Sequence, residues 1–232
     1  MSTIVAFGNQ KGGVGKSTVL TMVANALAQA PFDIRLCVVD TDPQRSLLEA
    51  RAFDMDEDSD TPPYPILGMS VDELQEQIHE LDQTYELILL DTAGRLDHSI
   101  PVEQQQITRA LMYADYLFIP FRAGSFNLEA SMEYLKMAHA LQEIRAKKER
   151  PLRYRGFLNF YKDRSKSNAF LLSEIEHLQE RGIPFMNCHL RHYSLFEEVD
   201  TLTSFYNVNT TNKAKLNFTV WLNEFFKQIK NG

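Results

Sequence analysis

Cysteine is scarce: Cys37 and Cys188 are the only two in a chain of 232 residues. Cys37 sits in an apolar, strand-like run, and neither has a partner at metal spacing. A disulfide framework or a zinc site is therefore not expected, and a reducing compartment fits. Positive charge is also short. Lys and Arg total 24 against 31 Asp and Glu, a formal net charge of −7. That argues against a surface coated all over with nucleic acid and leaves room for a local basic patch. No apolar run approaches the length needed to cross a bilayer. Met1-Ser-Thr-Ile-Val-Ala-Phe-Gly8 has no basic segment ahead of its short apolar run. It reads as a strand rather than a signal peptide, so a cytoplasmic protein is expected.

What is present is ordinary globular material. The length suits one α/β domain over 1–232, and no internal repeat is visible. Strands are predicted at Thr3–Gly8, Arg35–Val39, Leu87–Leu90, Tyr116–Pro120, Tyr154–Asn159 and Phe185–His189. Amphipathic stretches predict helices at Lys16–Gln29, Val71–Leu81, Val102–Tyr113, Leu128–Lys148, Ala169–Arg181 and Lys213–Lys230. This alternation implies a mostly parallel sheet covered by helices on both faces. Leu87-Ile-Leu-Leu90 has the unbroken apolar run of a strand buried on both sides. Phe53-Asp-Met-Asp-Glu-Asp-Ser-Asp-Thr-Pro-Pro-Tyr-Pro65 combines repelling charges with prolines. It reads as a solvated loop, with an acidic docking surface as the alternative.

The chemistry concentrates after the first strand, in Lys11-Gly-Gly-Val-Gly-Lys-Ser-Thr18. Glycines let backbone N–H groups turn onto phosphate oxygens, a lysine reaches the β- and γ-phosphates, and a hydroxyl ligates Mg²⁺. The helix that follows adds its positive end. Gly12, Gly13, Val14 and Gly15 supply the loop. Lys16 is the phosphate lysine, Ser17 the Mg²⁺ ligand, and Thr18 is placed for the α-phosphate. Gln10 stands where the general pattern has its first glycine, and a second lysine, Lys11, opens the loop.

This octet resembles the deviant Walker A motif of the ParA/MinD family of ATPases. The resemblance implies a P-loop NTPase three-layer fold, ATP and Mg²⁺ as cofactors, and a homodimer formed on ATP binding. It also implies that Lys11 reaches the partner's nucleotide, where an extra cation offsets charge on the transferring phosphoryl group. Asp40-Thr-Asp-Pro-Gln44 resembles the family's switch I, with Asp42 orienting or activating water and Asp40 supporting the Mg²⁺ water shell. Asp91-Thr-Ala-Gly94 resembles Walker B and switch II, with Asp91 contacting Mg²⁺ through water and Gly94 offering its N–H to the γ-phosphate. Thr92-Ala-Gly94 departs from the proline-rich residues common there and is closer to a GTPase switch. Both carboxylate segments follow strand C-termini, where ligands bind in open α/β sheets.

Pro120-Phe-Arg-Ala-Gly-Ser-Phe-Asn-Leu-Glu-Ala130 and Gly156-Phe-Leu-Asn-Phe-Tyr-Lys-Asp-Arg164 extend the match. Asn159 is the candidate for contact with the base; a turn former at a strand end is the other reading. ParA-like members bind DNA without sequence preference and answer to a ParB-like or other adaptor, whereas MinD-like members bind membrane. Arg164 and Arg191 match basic positions used by ParA-like proteins. The cations of Arg145–Arg155 serve either DNA or the dipole at a helix C-terminus. Val220–Lys230 reads as a helix packed on the sheet, with a membrane-surface helix as the alternative. The cysteines do not suit a nitrogenase iron protein, and no terminal tyrosine cluster suggests a tyrosine kinase. No N-terminal helix-turn-helix precedes the first strand, so operator-specific repression is not expected. A ParA-like partition or positioning ATPase is the leading reading. A MinD-like membrane regulator and a small-molecule ligase follow it.

Overall fold

The computed structural model describes residues 1–55, 61–93, 101–148 and 150–230. Its strands are β1 (Thr3–Phe7), β2 (Leu36–Asp40), β3 (Ile66–Gly68), β4 (Leu87–Asp91), β5 (Tyr116–Phe121) and β6 (Arg153–Leu158). Its helices are α1 (Lys16–Leu27), α2 (Ser46–Asp54), α3 (Val71–Thr84), α4 (Pro101–Leu111), α5 (Ser125–Arg145), α6 (Lys166–Glu180) and α7 (Lys213–Lys230). The strands form one parallel sheet in the order β3-β2-β4-β1-β5-β6. Parallel neighbours need crossovers, and helices supply them on both faces. The expected three-layer α/β fold is therefore present.

The central strands β1, β2, β4 and β5 are almost wholly buried because both faces carry apolar layers. On one face α1 and α7 pack with Phe7, Phe118 and Phe157 around Trp221 and Phe225. The Phe225 ring lies 5.8 Å from Phe7, and Trp221 lies 5.5 Å from Phe225. The aromatic stripe of Val220–Lys230 thus faces the core, as the packing reading requires. Among the described residues no helix is long and apolar enough to cross a membrane.

Three local expectations need correction. First, Phe185–His189 is not a strand. It makes one isolated bridge to Gly156, and the N–H groups of Asn187 and Cys188 donate to Glu224 of α7, both at 2.7 Å. Met186 N–H donates to Gly156 O, but a carboxylate has taken the Cys188 donor that would continue the ladder. Second, α2 and β3 were not expected. No side chain of the N-cap residue supports α2; instead the carboxylate of Asp40, at the end of β2, accepts from Leu47 N–H. Third, the proline-rich end of the acidic segment is not solvated. Tyr64 is buried, donates to Asn25 Oδ1 at 2.8 Å, and lies under the Arg51 guanidinium. Asp54 ends α2 and accepts from Thr201. Residues 56–60 of that segment lie outside the described residues.

The cationic run also proves structural. Arg145 is buried and donates to the carbonyls of Leu111, Ala114 and Arg150. Arg150 pairs with Asp115 and Asp82 and donates to Ser2 O at 2.7 Å. Arg153 lies over the Tyr116 ring. Arg145 and Arg150 thus have structural partners: Arg145, in the last turn of α5, meets the carbonyl that ends α4, as the helix-end reading expects, while Lys147 and Lys148 are exposed.

Candidate nucleotide site

Strand β1 ends at Phe7, and the loop to α1 crosses the C-terminal edge of the sheet. Gly13 and Gly15 have φ of 74° and 89°, a left-handed conformation that glycine adopts without strain. Gly15 is the N-cap of α1, and no side chain caps that end. Its first N–H groups are thus available to an anion. Asn9 anchors the loop from below. It is fully buried, donates to Pro120 O and Ser131 Oγ (both 2.8 Å), and accepts from Lys11 N–H at 2.9 Å. The sequence carried a signal for this residue that was missed: an amide placed directly between an apolar strand and a glycine loop.

Lys16 opens α1 and is buried. Burial lowers its pKa, while Asp91 and Asp42 oppose that shift. Both carboxylates therefore lie close enough to interact with it. Ser17 Oγ donates to Asp91 Oδ2 at 2.6 Å. Asp91 Oδ1 is buried and has no hydrogen-bond partner among the described residues. Burial pushes the Asp91 carboxyl up to about 7. An orphaned carboxylate oxygen beside a hydroxyl, next to a buried lysine, is a donor set suited to a hard cation such as Mg²⁺. Thr18 follows, half-buried, in the first turn of α1.

The end of β2 lies next to the end of β4, with Asp40 in register with Asp91. Thr41 donates to Asp91 O through both its N–H and its hydroxyl. Asp40 is turned into its own loop: Oδ1 accepts from Asp42 N–H at 3.0 Å and Oδ2 from Leu47 N–H at 3.2 Å. These contacts brace the loop and start α2, and each oxygen keeps a further lone pair. Asp42 is half-buried, accepts from Gln44 N–H at 2.9 Å and is near Lys16. Lys11, Gly12 and Gly13 are exposed on the outside of the loop, and Val14 is buried. Gly94 lies outside the described residues.

Asn159 is brought to the loop from the end of β6. Its Nδ2 donates to Val14 O at 2.8 Å and its Oδ1 accepts from Phe160 N–H at 3.0 Å. In this structure its donor and acceptor serve the loop and its own turn. Arg122, at the end of β5, was not singled out from the sequence. Its Nη1 donates to Gly13 O at 2.6 Å, and its guanidinium lies 4.6 Å from the centre of the Phe160 ring. Arg164 and Arg191 are far from the loop in sequence and exposed. Their segments adjoin through a bridge between Tyr161 and Arg191. Arg191 pairs with Asp163 at 2.5 Å, beside Arg164. Burial pushes the thiols of both Cys37 and Cys188 up to about 12, with the Glu224 carboxylate adding to the shift at Cys188.

Residues 5–199 match the CobQ/CobB/MinD/ParA nucleotide binding domain family. A curated relative, maintenance of carboxysome distribution protein A from Halothiobacillus neapolitanus, is 23% identical over 192 residues, covering 83% of this chain and 81% of the relative. Among solved structures, cobyrinic acid a,c-diamide synthase from Mycobacterium smegmatis with bound ADP and magnesium is 17% identical, with a TM-score of 0.70 over 100% of this chain and 97% of that one. A plasmid partition protein from Borrelia burgdorferi bound to AMPPNP is 19% identical, with a TM-score of 0.65 over 98% of this chain and 99% of that one. At these identities the solved structures establish the fold, and the family match covers most of the chain. With its glycine loop, buried lysine and strand-end carboxylates, the chain belongs to the CobQ/CobB/MinD/ParA nucleotide-binding family.

Proposed function

We propose that this protein is a ParA-like ATPase that binds Mg-ATP, dimerises on it, holds DNA without sequence preference and releases its hold when a partner protein stimulates hydrolysis. The observation that carries the ATPase reading is the Ser17–Asp91 pair, with its orphaned Oδ1, beside buried Lys16 at an uncapped helix start. Lys16 and the loop N–H groups hold the β- and γ-phosphates. Ser17 and Asp91 hold Mg²⁺, which neutralises phosphate charge when bound. Asp42 orients the attacking water, and Asp40 keeps Asp42 in place through its N–H. Lys11, exposed on the outer face of the loop, reaches the nucleotide of the second subunit. Asn159, held against the loop, keeps a second amide hydrogen and a second lone pair with which to contact the base.

The cargo is DNA or a cytosolic assembly, and an adaptor protein supplies the stimulation. The partition and carboxysome-distribution relatives support positioning as the task. Arg164 and Arg191 form the DNA face. The surface ion pair between Arg191 and Asp163 is weak, worth about 0–1 kcal/mol, and a DNA phosphate can take the place of Asp163. The ATP-bound dimer is accordingly nucleoid-associated within the cytoplasm.

A DNA gel shift with ATP, ADP or no nucleotide, run beside liposome sedimentation, tests this reading. Retardation with ATP alone is expected, and it should be lost in the double variant Arg164→Ala, Arg191→Ala, which still dimerises on ATP. Liposome binding would instead favour a MinD-like membrane regulator. Binding to neither surface would favour a small-molecule ligase.

A further inference from the structure

Two successive carbonyls of the phosphate loop are held from outside it. Gly13 O accepts from Arg122 Nη1 at 2.6 Å, and Val14 O accepts from Asn159 Nδ2 at 2.8 Å. In a trans peptide the C=O and the following N–H point in opposite directions. Holding Gly13 O therefore aims Val14 N–H away from Arg122, and holding Val14 O aims Gly15 N–H away from Asn159. The sheet order sets what lies on each side. Arg122 follows β5 and Asn159 follows β6, both on one flank of β1, whereas β4 with Asp91 and β2 with Asp40 lie on the other. The two N–H groups are thus turned toward the flank that carries Asp91 and its partner Ser17.

A glycine loop does not hold this arrangement by itself. Gly13 has φ of 74°, and with no side chain its own backbone torsions are little restricted. A flipped peptide would point a carbonyl oxygen at the phosphate site. Arg122 is itself held, because its guanidinium carbon lies over the Phe160 ring, 4.6 Å from the ring centre. Phe160 has a left-handed φ of 54°, its N–H is held by Asn159, and its ring edge would be 2.7 Å from a Cβ on Gly15.

We propose that Arg122 is a positioning residue for the nucleotide: by fixing the Gly13 carbonyl outward and bracing Phe160 against the loop, it presets the N–H donors that receive the phosphates. This rests on the ATP-binding reading above. The test is titration of wild type, Lys16→Ala, Arg122→Ala and Arg122→Lys with fluorescent ATP and ADP analogues and Mg²⁺. Melting without nucleotide and basal ATPase kinetics are measured alongside. Wild-type binding that is lost in Lys16→Ala upholds the site itself; no binding by wild type overturns both readings. Arg122→Ala is expected to raise Kd for both nucleotides about tenfold, as for the loss of one charge-assisted hydrogen bond. KM should rise in step with little change in kcat, because the preset donors serve ground and transition states alike. Arg122→Lys, which keeps a donor but not the planar guanidinium, should recover part of the loss. The melting point of Arg122→Ala should stay within about 2 °C of wild type. Unchanged Kd in Arg122→Ala would overturn the proposal. So would a fall in melting point that accounts for the weaker binding and is not relieved by lysine.

Discussion

Alanine at Gly13 and at Gly15 gives a controlled comparison, since both residues have positive φ and differ in what surrounds them. At Gly13 a Cβ meets nothing within 4 Å, whereas at Gly15 it would stand 2.4 Å from Asn159 Nδ2 and 2.7 Å from Phe160 Cε2. Gly13→Ala therefore carries only the left-handed strain of an L-residue, about 1–2 kcal/mol. Gly15→Ala carries the same strain and must also displace Asn159 from Val14 O. Leaving that buried pair unmade adds about 1–3 kcal/mol, for a total of roughly 2–5 kcal/mol. Urea unfolding with and without saturating Mg-ADP measures both parts. If the loop keeps its shape, the cost appears as lost stability. If the loop yields, it appears as weaker nucleotide binding, at about 1.4 kcal/mol for each tenfold in Kd. The sum should be clearly larger for Gly15→Ala. Two variants that agree within about 0.5 kcal/mol would refute the claim that Asn159 and Phe160 pack against the loop.

Three further outcomes are expected. Asp42→Ala should keep Mg-ATP affinity and lose about a hundredfold in basal phosphate release, the scale of a lost proton acceptor; wild-type turnover would remove Asp42 from that role. The Asp91 carboxyl is raised in the folded chain from 3.8 to about 7, so its stabilising contribution is full below the lower value and is lost as pH climbs to the higher one. Without Mg²⁺ and nucleotide, the melting-point difference between wild type and Asp91→Asn should shift against wild type from pH 5 to pH 8, and a constant difference would contradict the burial of that carboxyl. Arg150→Ala should cost about 3 kcal/mol in urea unfolding, because Asp115 and Asp82 lose their shared cation. A change under about 0.5 kcal/mol, typical of a surface site, would mean the pairing is not structural.

The phosphate loop was legible because its chemistry is local. Glycines, Lys16 and Ser17 stand within a few residues of one another, and backbone geometry alone carries them from β1 into α1. Asp91 was legible for a related reason, since an aspartate that ends an unbroken apolar strand must emerge at the carboxyl edge of a parallel sheet. The helix α3 was visible from its periodicity, and its start at Val71 is fixed by a capping box between Ser70 and Glu73. In contrast, α2 had no local cap to announce it, because its start depends on Asp40 in the preceding strand.

Composition and spacing thus determined the fold class, the nucleotide loop and the strand-end carboxylates. Tertiary structure decided which way each polar group faces. Asp40 and Asp42 are two residues apart, yet one braces the loop and the other is near Lys16, because two backbone N–H groups already engage Asp40. The cations at 145 and 150 could serve DNA or a helix end by sequence alone; the fold set Arg145 against backbone carbonyls and Arg150 between Asp82 and Asp115. Arg122 and Asn159 gained their roles only when β5 and β6 were laid on the same flank of β1. A side chain's chemistry can be read where it stands in the chain, but its partner, often a hundred residues away, is chosen by the order of the strands.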